Sequence, residues 1–215
     1  MEKIILIGGG GHCKMVISQL TKIERFEIVG IVDNHKPVGS KVFGVEIIGK
    51  DEDLEKFYSS GIKYAFISVG SVKDNSKRQE LFSLAKEIGY RFPVILSPQS
   101  IVDKSVHIEE GTIIMPGCIV NVESYIGKNC IINSGAIIEH GCKIGDHCHI
   151  ASGANVAGEV EIGDLAFIGA GSVVIQGIRI GKNATVGAGS VVINDIPENV
   201  IAVGNPARIV KSKYD

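Results

Sequence analysis

From Val102 to Val192 every sixth residue is isoleucine or valine, sixteen positions in succession without an insertion. They are Val102, Ile108, Ile114, Val120, Ile126, Ile132, Ile138, Ile144, Ile150, Val156, Ile162, Ile168, Val174, Ile180, Val186 and Val192. Four residues after each lies a second regular position, small (Ala, Ser, Thr or Cys) in twelve of the sixteen, as at Thr112, Ala136, Ala154 and Ser190. A helical face needs spacings of three and four, and an ordinary strand alternates, so a period of six fits neither. It fits a solenoid whose six-residue unit is one short strand and one corner. The branched residue stacks inward on its copy in the next coil, and the small one fits inside the turn. Ile-Gly followed by Lys or Asp recurs at 126, 144, 162 and 180, always eighteen residues apart. Eighteen is three sixes, so the coil has three sides and the region is a triangular prism of about five coils.

The same period accounts for four of the five cysteines. Cys118, Cys130, Cys142 and Cys148 all fall on the small inward position, which assigns them to the core as small hydrophobes rather than to a metal site. The repeat stops at the turn over 193–199. The following VGNPARIVK (203–211) reads as a turn and a short helix with Arg208 and Lys211 exposed.

A different pattern governs the first ninety-five residues. EKIILIG reads as a strand, HCKMVISQLTKI as an amphipathic helix, and EIVGIVDN as a second strand ending near Asp33. VEIIG, then a helix from DEDLEKFYSS closed by Gly61, then the buried strand KYAFISVG continue the alternation. DNSKRQELFSLAKEIG is a helix capped by Asp74 or Asn75, and RFPVI completes the set. Alternating strands and helices make a small parallel α/β domain. Its first turn, LIGGGGHCKM, places Cys13 where a dinucleotide fingerprint has its last glycine. A full dinucleotide fold is two such halves. One half suits a single nucleotide, with backbone N–H groups offered to phosphate at a helix N-terminus and Asp33 near the ribose-binding position. The competing reading is a tight turn with no ligand.

The chain has 215 residues and a net charge of −2, which argues for neither nucleic acid nor an anionic membrane as partner. The apolar run before the glycines is too short for a secretory signal, and no stretch approaches the ~18 apolar residues of a membrane span. With five cysteines and no signal, a reducing, cytoplasmic location is expected.

A half-Rossmann domain followed by a hexapeptide prism resembles the bacterial hexapeptide-repeat sugar acyltransferases. That group includes sialic acid O-acetyltransferases and N-acetyltransferases of nucleotide-linked 4-amino sugars. The resemblance spans the chain: GGGGH at 8–12, VDN at 32–34, SVG at 68–70, IIEHGCKIGDHCHIASGA at 137–154 and GNPAR at 204–208. It implies a Rossmann-like nucleotide-sugar-binding domain over 1–96 and a left-handed parallel β-helix over 97–215, assembled as a homotrimer. It implies acetyl-CoA as co-substrate, with no metal. His140 then matches the general base and His149 a contact to the acetyl group. Gly10, Gly11, His12, Asp33, Asn34 and Gly70 match the nucleotide-sugar pocket, and Ala170 and Ala188 match the CoA groove. Arg208 is either a solvated end or a contact to CoA phosphates. Many relatives carry an acid directly after the base; here Gly141 stands there, and Glu139, which precedes the base, is the candidate catalytic carboxylate beside His140.

The chemistry suits such a reaction. An attacking amine must lose a proton, and imidazole titrates near working pH. The tetrahedral intermediate carries an oxyanion that needs a donor, from His149 or a nearby N–H. His140 and His149 are nine residues apart, half of an eighteen-residue coil, so they point from different faces. If both serve one reaction, the site lies between neighbouring chains. The expected activity is acetyl transfer to the amine of a nucleotide-activated 4-amino-4,6-dideoxy sugar. The alternatives are O-acetylation of sialic-acid-like sugars, a metal-dependent lyase built on His140, His147 and His149, and a non-catalytic prism for assembly or nucleotide sensing.

Overall fold

The computed structural model describes residues 1–71 and 74–213. It divides into two compact units, one of Met1–Ser71 and Lys77–Ile95, the other of residues 74–76 and 96–213.

In the first unit, strand β1 (Glu2–Ile7) leads through the glycine turn into helix α1 (Gly11–Ile23), followed by β2 (Phe26–Val32). A short hairpin of β3 (Lys41–Val42) and β4 (Val45–Gly49) precedes α2 (Leu54–Ser59), β5 (Tyr64–Ile67) and α3 (Ser76–Ile88). The sheet runs β3-β4-β2-β1-β5. Its central pairings are parallel, and only the β3 edge is antiparallel. Strand β1 is central, which is why IILI is fully buried. Its Ile5 and Ile7 pack with Val32, Ile67, Leu81 and Phe82 in one core. The first turn therefore emerges beside β2 and β5, at the carboxyl edge of the parallel strands, where such sheets bind ligands.

The second unit is a three-sided parallel β-helix of two-residue strands. Registers link residues eighteen apart on all three faces, as in Ile119↔Ile137, Tyr125↔Lys143 and Ile131↔His149. Of the sixteen periodic Ile/Val positions, all from Ile114 onward are buried; Val102 and Ile108, in the first coil, are partly exposed. Each buried branched side chain contributes about 1.5–3 kcal/mol.

The inward small residues do more than fill space. Thr112 Oγ1 donates to the Gly127 carbonyl at 2.7 Å and Ser124 Oγ to that of Glu139 at 2.9 Å. The cysteines repeat this contact fifteen residues ahead: Cys118 to Asn133 at 3.0 Å, Cys130 to Gly145, Cys142 to Ala157 and Cys148 to Gly163, each of these three at 3.1 Å. All five cysteines are free and buried.

Three residues after the inward Ile or Val, at every such position from Gly111 to Gly189, the backbone turns left-handed. Glycine holds this corner at 135, 141, 153 and 171, and asparagine at 129 and 183. These residues tolerate positive φ at least cost. Glu123, His147, Glu159 and Leu165 hold it without that advantage.

The faces differ outward. One presents Ile101, Ile119, Ile137, Asn155, Val173 and Val191, none of them buried. The second presents His107, Tyr125, Lys143, Glu161 and Arg179, laced by Lys143–Glu161 and Arg179–Glu161 ion pairs. The third presents Ile113, Ile131, His149, Phe167 and Thr185, all buried.

The tail corrects the expected short helix. Val200–Val203 and Arg208–Ser212 form an antiparallel hairpin across a cis Asn205–Pro206 turn. The first of these strands extends the third face through Thr185↔Ile201, and β-branched Ile209 and Val210 suit the second.

Candidate functional site

The glycine turn is pinned by its neighbours. Gly8 N–H donates to the Val32 carbonyl at 2.8 Å, and Ser68 Oγ donates to the Gly8 carbonyl at 2.6 Å. Gly8 has φ +103°, and a Cβ there would come within 2.9 Å of the Val69 nitrogen, so the turn admits only glycine. At Gly9 a Cβ would press on Lys36, Asp33 and Ile47 at 3.1–3.2 Å. Gly10 and Gly11 are different. A Cβ on either would meet no protein atom within 4 Å, and neither has positive φ. The fold does not require glycine at those two positions; their bare backbone faces the open cleft.

That cleft, about 360 Å³, is lined by the turn, His12, Val32 to His35, Asp51, Val69, Gly70, Lys77 and Leu81. It brings together all six residues assigned to the nucleotide-sugar pocket. Gly70 approaches so closely that a Cβ would lie 3.0 Å from that of His12. Its loop is fixed by the buried Arg78 of α3, whose Nη1 donates to the carbonyls of Ile67 at 2.9 Å and Val69 at 2.5 Å.

Asp33 stands in the cleft wall as a clamp. Its Oδ2 accepts the Gly9 N–H at 2.6 Å, and its Oδ1 accepts those of His35 at 2.8 Å and Lys36 at 2.9 Å. Burial pushes this carboxyl up, but the three N–H donors outweigh it and hold the group below its ordinary range. Asn34 is likewise engaged: it donates to Asp51 Oδ2 at 2.6 Å and accepts the Asp51 N–H at 3.0 Å. Burial raises the Asp51 carboxyl above its usual value, against the opposing Asn34 bond and Lys77 charge. Asp51 and Lys77 were missed in the sequence, although the acidic DED after β4 was a signal. A second cleft of about 320 Å³ shares Gly9–Gly11 with the first and is lined by Lys14, Lys36 and Lys41. The turn's N–H groups and these lysines suit a diphosphate.

In the β-helix, His140 sits exposed at the corner that follows the apolar face. Its ring lies on Gly158 of the next coil, where a Cβ would fall 2.7 Å from Nε2 and 3.0 Å from Nδ1. Glu139 does not bond to this ring; its Oε2 accepts from Asn121 Nδ2 at 2.9 Å. His149 is buried on the third face, its Nε2 3.1 Å from Asn133 Nδ2, with Phe167 edge-on at 5.1 Å. His147 Nδ1 meets Asn129 Nδ2 at 3.0 Å. His140 and His149 thus belong to different faces, and no group of three or more His, Cys, Asp or Glu able to hold a metal occurs among the described residues. Ala170 and Ala188 are exposed and stacked at one corner, where the Gly189 N–H donates to the Ala170 carbonyl at 2.8 Å. Arg208 is exposed at the start of the tail's second strand. A larger, shallow depression of about 730 Å³ lies on the charged face, lined by Lys143, Glu161 and Arg179, and contains none of these groups.

An α/β unit with an open glycine turn, joined to a prism carrying an exposed histidine, defines a group-transfer enzyme of the hexapeptide-repeat class. Family models agree: the PglD N-terminal domain matches residues 3–84, a bacterial transferase hexapeptide model 123–158, and a succinyl-transferase hexapeptide model 159–193. The chain belongs to the hexapeptide-repeat sugar acetyltransferases, whose prism is a left-handed β-helix. A histidine-to-alanine mutant of GDP-perosamine N-acetyltransferase from Caulobacter crescentus, in complex with CoA and GDP-perosamine, is 36% identical. That match covers 99% of this chain and 98% of the other, with a TM-score of 0.92. The acetyltransferase domain of PglB from Neisseria gonorrhoeae, in complex with acetyl coenzyme A, is 29% identical over 97% and 99% of the two chains, with a TM-score of 0.89. WeeI from Acinetobacter baumannii is 28% identical over 98% and 100%, at 0.85. A comparison with proteins of curated function found no match. No helix among the described residues is long and apolar enough to cross a membrane.

Proposed function

We propose that this chain transfers the acetyl group of acetyl-CoA to the amine of a nucleotide-linked 4-amino-4,6-dideoxy sugar, GDP-perosamine or a close analogue. One observation carries the reading: a relative matching nearly the whole chain holds CoA and GDP-perosamine together. The open backbone at Gly10 and Gly11 receives the nucleotide diphosphate, with His12, Asn34 and Gly70 shaping the cleft and Asp33 bracing it from the wall. His140 takes a proton from the sugar amine as its nitrogen attacks the thioester carbonyl. The C–N bond forms, the oxyanion collapses, and the C–S bond breaks to release CoA thiolate, which takes up the proton. His149 contacts the acetyl group. The methyl side chains of Ala170 and Ala188 leave room along their corner for the pantetheine arm, and Arg208 pairs with CoA phosphate. Relatives with a single histidine replaced by alanine or asparagine still hold CoA and GDP-perosamine, so in them that histidine is not required for binding.

We further infer a homotrimer. The apolar outward stripe of Ile101, Ile119, Ile137, Val173 and Val191 supports self-association. His140 borders that face while His149 lies on another, so His140 of one copy works with His149 of a neighbour. A cytoplasmic location follows from acetyl-CoA as co-substrate. The test is CoA-thiol release with GDP- and UDP-linked 4-amino sugars and with free sialic acid. Turnover with a nucleotide amino sugar supports the reading; turnover with free sialic acid alone overturns it.

A further inference from the structure

The geometry points to Glu159 as the residue that positions the His140 imidazole; this rests on His140 being the base. The corner residues of successive coils stack in a column, Glu123, Gly141 and Glu159, eighteen residues apart. His140, beside that column, leans toward the later coil, its ring against Gly158, and its carbonyl accepts the Glu159 N–H at 2.9 Å. Glu159 leans the opposite way. Its Cγ lies 3.5 Å from where a Cβ at Gly141 would stand, so the missing side chain at 141 is the space this glutamate folds into. The two side chains therefore bend toward each other from adjacent coils.

Neither group is otherwise engaged. Among the described residues no hydrogen bond or ion pair holds the Glu159 carboxylate or the His140 ring, whereas Glu139 is held by Asn121. Glu159 also keeps a left-handed backbone, φ +59°, as does Glu123 in the same column. A carboxylate accepting one imidazole N–H fixes which ring nitrogen carries the proton and leaves the other's lone pair for the amine, with no proton passing to the acid.

Glu123 supplies the control, since it occupies the same corner one coil earlier, on the side from which the ring leans away, and has no atom within 4 Å of the Gly141 Cβ position. Glu159→Gln should lower kcat about 10- to 100-fold, part of the 10²–10⁴ that a general base supplies. KM for both substrates should stay within about twofold of wild type, as expected for a loss felt only in the transition state. Glu159→Asp should recover most of the rate, and Glu123→Gln should match wild type. Without any substrate, the ¹⁵N spectrum of the His140 ring should show one dominant tautomer in the wild type and a mixture in Glu159→Gln. Equal kcat and an unchanged tautomer in Glu159→Gln would overturn the assignment. If His140→Ala is slow while Glu159→Gln is not, only the positioning role falls; if His140→Ala keeps the wild-type rate, the base reading falls and takes this one with it.

Discussion

Glycines in one turn have opposite jobs, and substitution separates them. Gly8→Ala forces a left-handed residue against Val69 and should destabilise the fold by about 1–3 kcal/mol, seen as a lower unfolding midpoint. Gly10→Ala and Gly11→Ala should leave that midpoint unchanged or slightly higher, yet weaken nucleotide binding by calorimetry, because the added methyl enters only the cleft. Asp33 makes a second residue-scale prediction. Its folded carboxyl titrates below the unfolded value, so its contribution is complete above about pH 4 and is lost as pH falls through the folded value. Asp33→Asn should therefore lower stability at neutral pH and flatten the loss on acidification, measured by urea unfolding between about pH 5 and about pH 2. Sequence alone placed Asp33 at the ribose. Two of its backbone partners, His35 and Lys36, follow it in the same loop, but the third, Gly9, reaches it only when β1 and β2 pair, so the full clamp was not legible there.

At the scale of elements, the hexapeptide period was fully legible because the inward residue repeats without interruption, whatever lies outside. The corner column was less so. That Glu159 stands over Gly141 follows from adding eighteen, but the direction its side chain bends depends on its left-handed backbone. The tail misled for a different reason: ARIVK has residues compatible with a helix, and what decides for strand is the free edge offered by Val200–Val203. The short β3 strand likewise exists only because β4 pairs with it. The cysteines test the element-level account. Burial pushes Cys13 up to about 11 and raises Cys118, Cys142 and Cys148 as well. A thiol reagent at neutral pH should find no fast-reacting cysteine in the native protein and all five after unfolding. Cys142→Ser should cost less than about 1.5 kcal/mol, since serine can donate to the Ala157 carbonyl as Ser124 does to that of Glu139.

The whole molecule combines a nucleotide-binding unit and an acyl-transfer prism on one chain, a pairing the two periodicities announce before any coordinate is known. What they do not announce is which prism face is covered. The outward positions of the three faces differ in chemistry, and only the apolar one is left both exposed and uncharged. Val173→Asp on that face should convert the assembly to a smaller species by light scattering and abolish turnover together, with the α/β unit still binding nucleotide. A monomer with full activity would contradict the shared site. Acetyl transfer to a nucleotide-linked amine, with His140 as base, is most directly measured as the rate of CoA-thiol release from acetyl-CoA with a GDP-linked 4-amino sugar, wild type beside His140→Ala. The wild type should turn over, give a product heavier by one acetyl group, and outpace the variant by about 10²–10⁴-fold. Equal rates in the two proteins would contradict that role of His140.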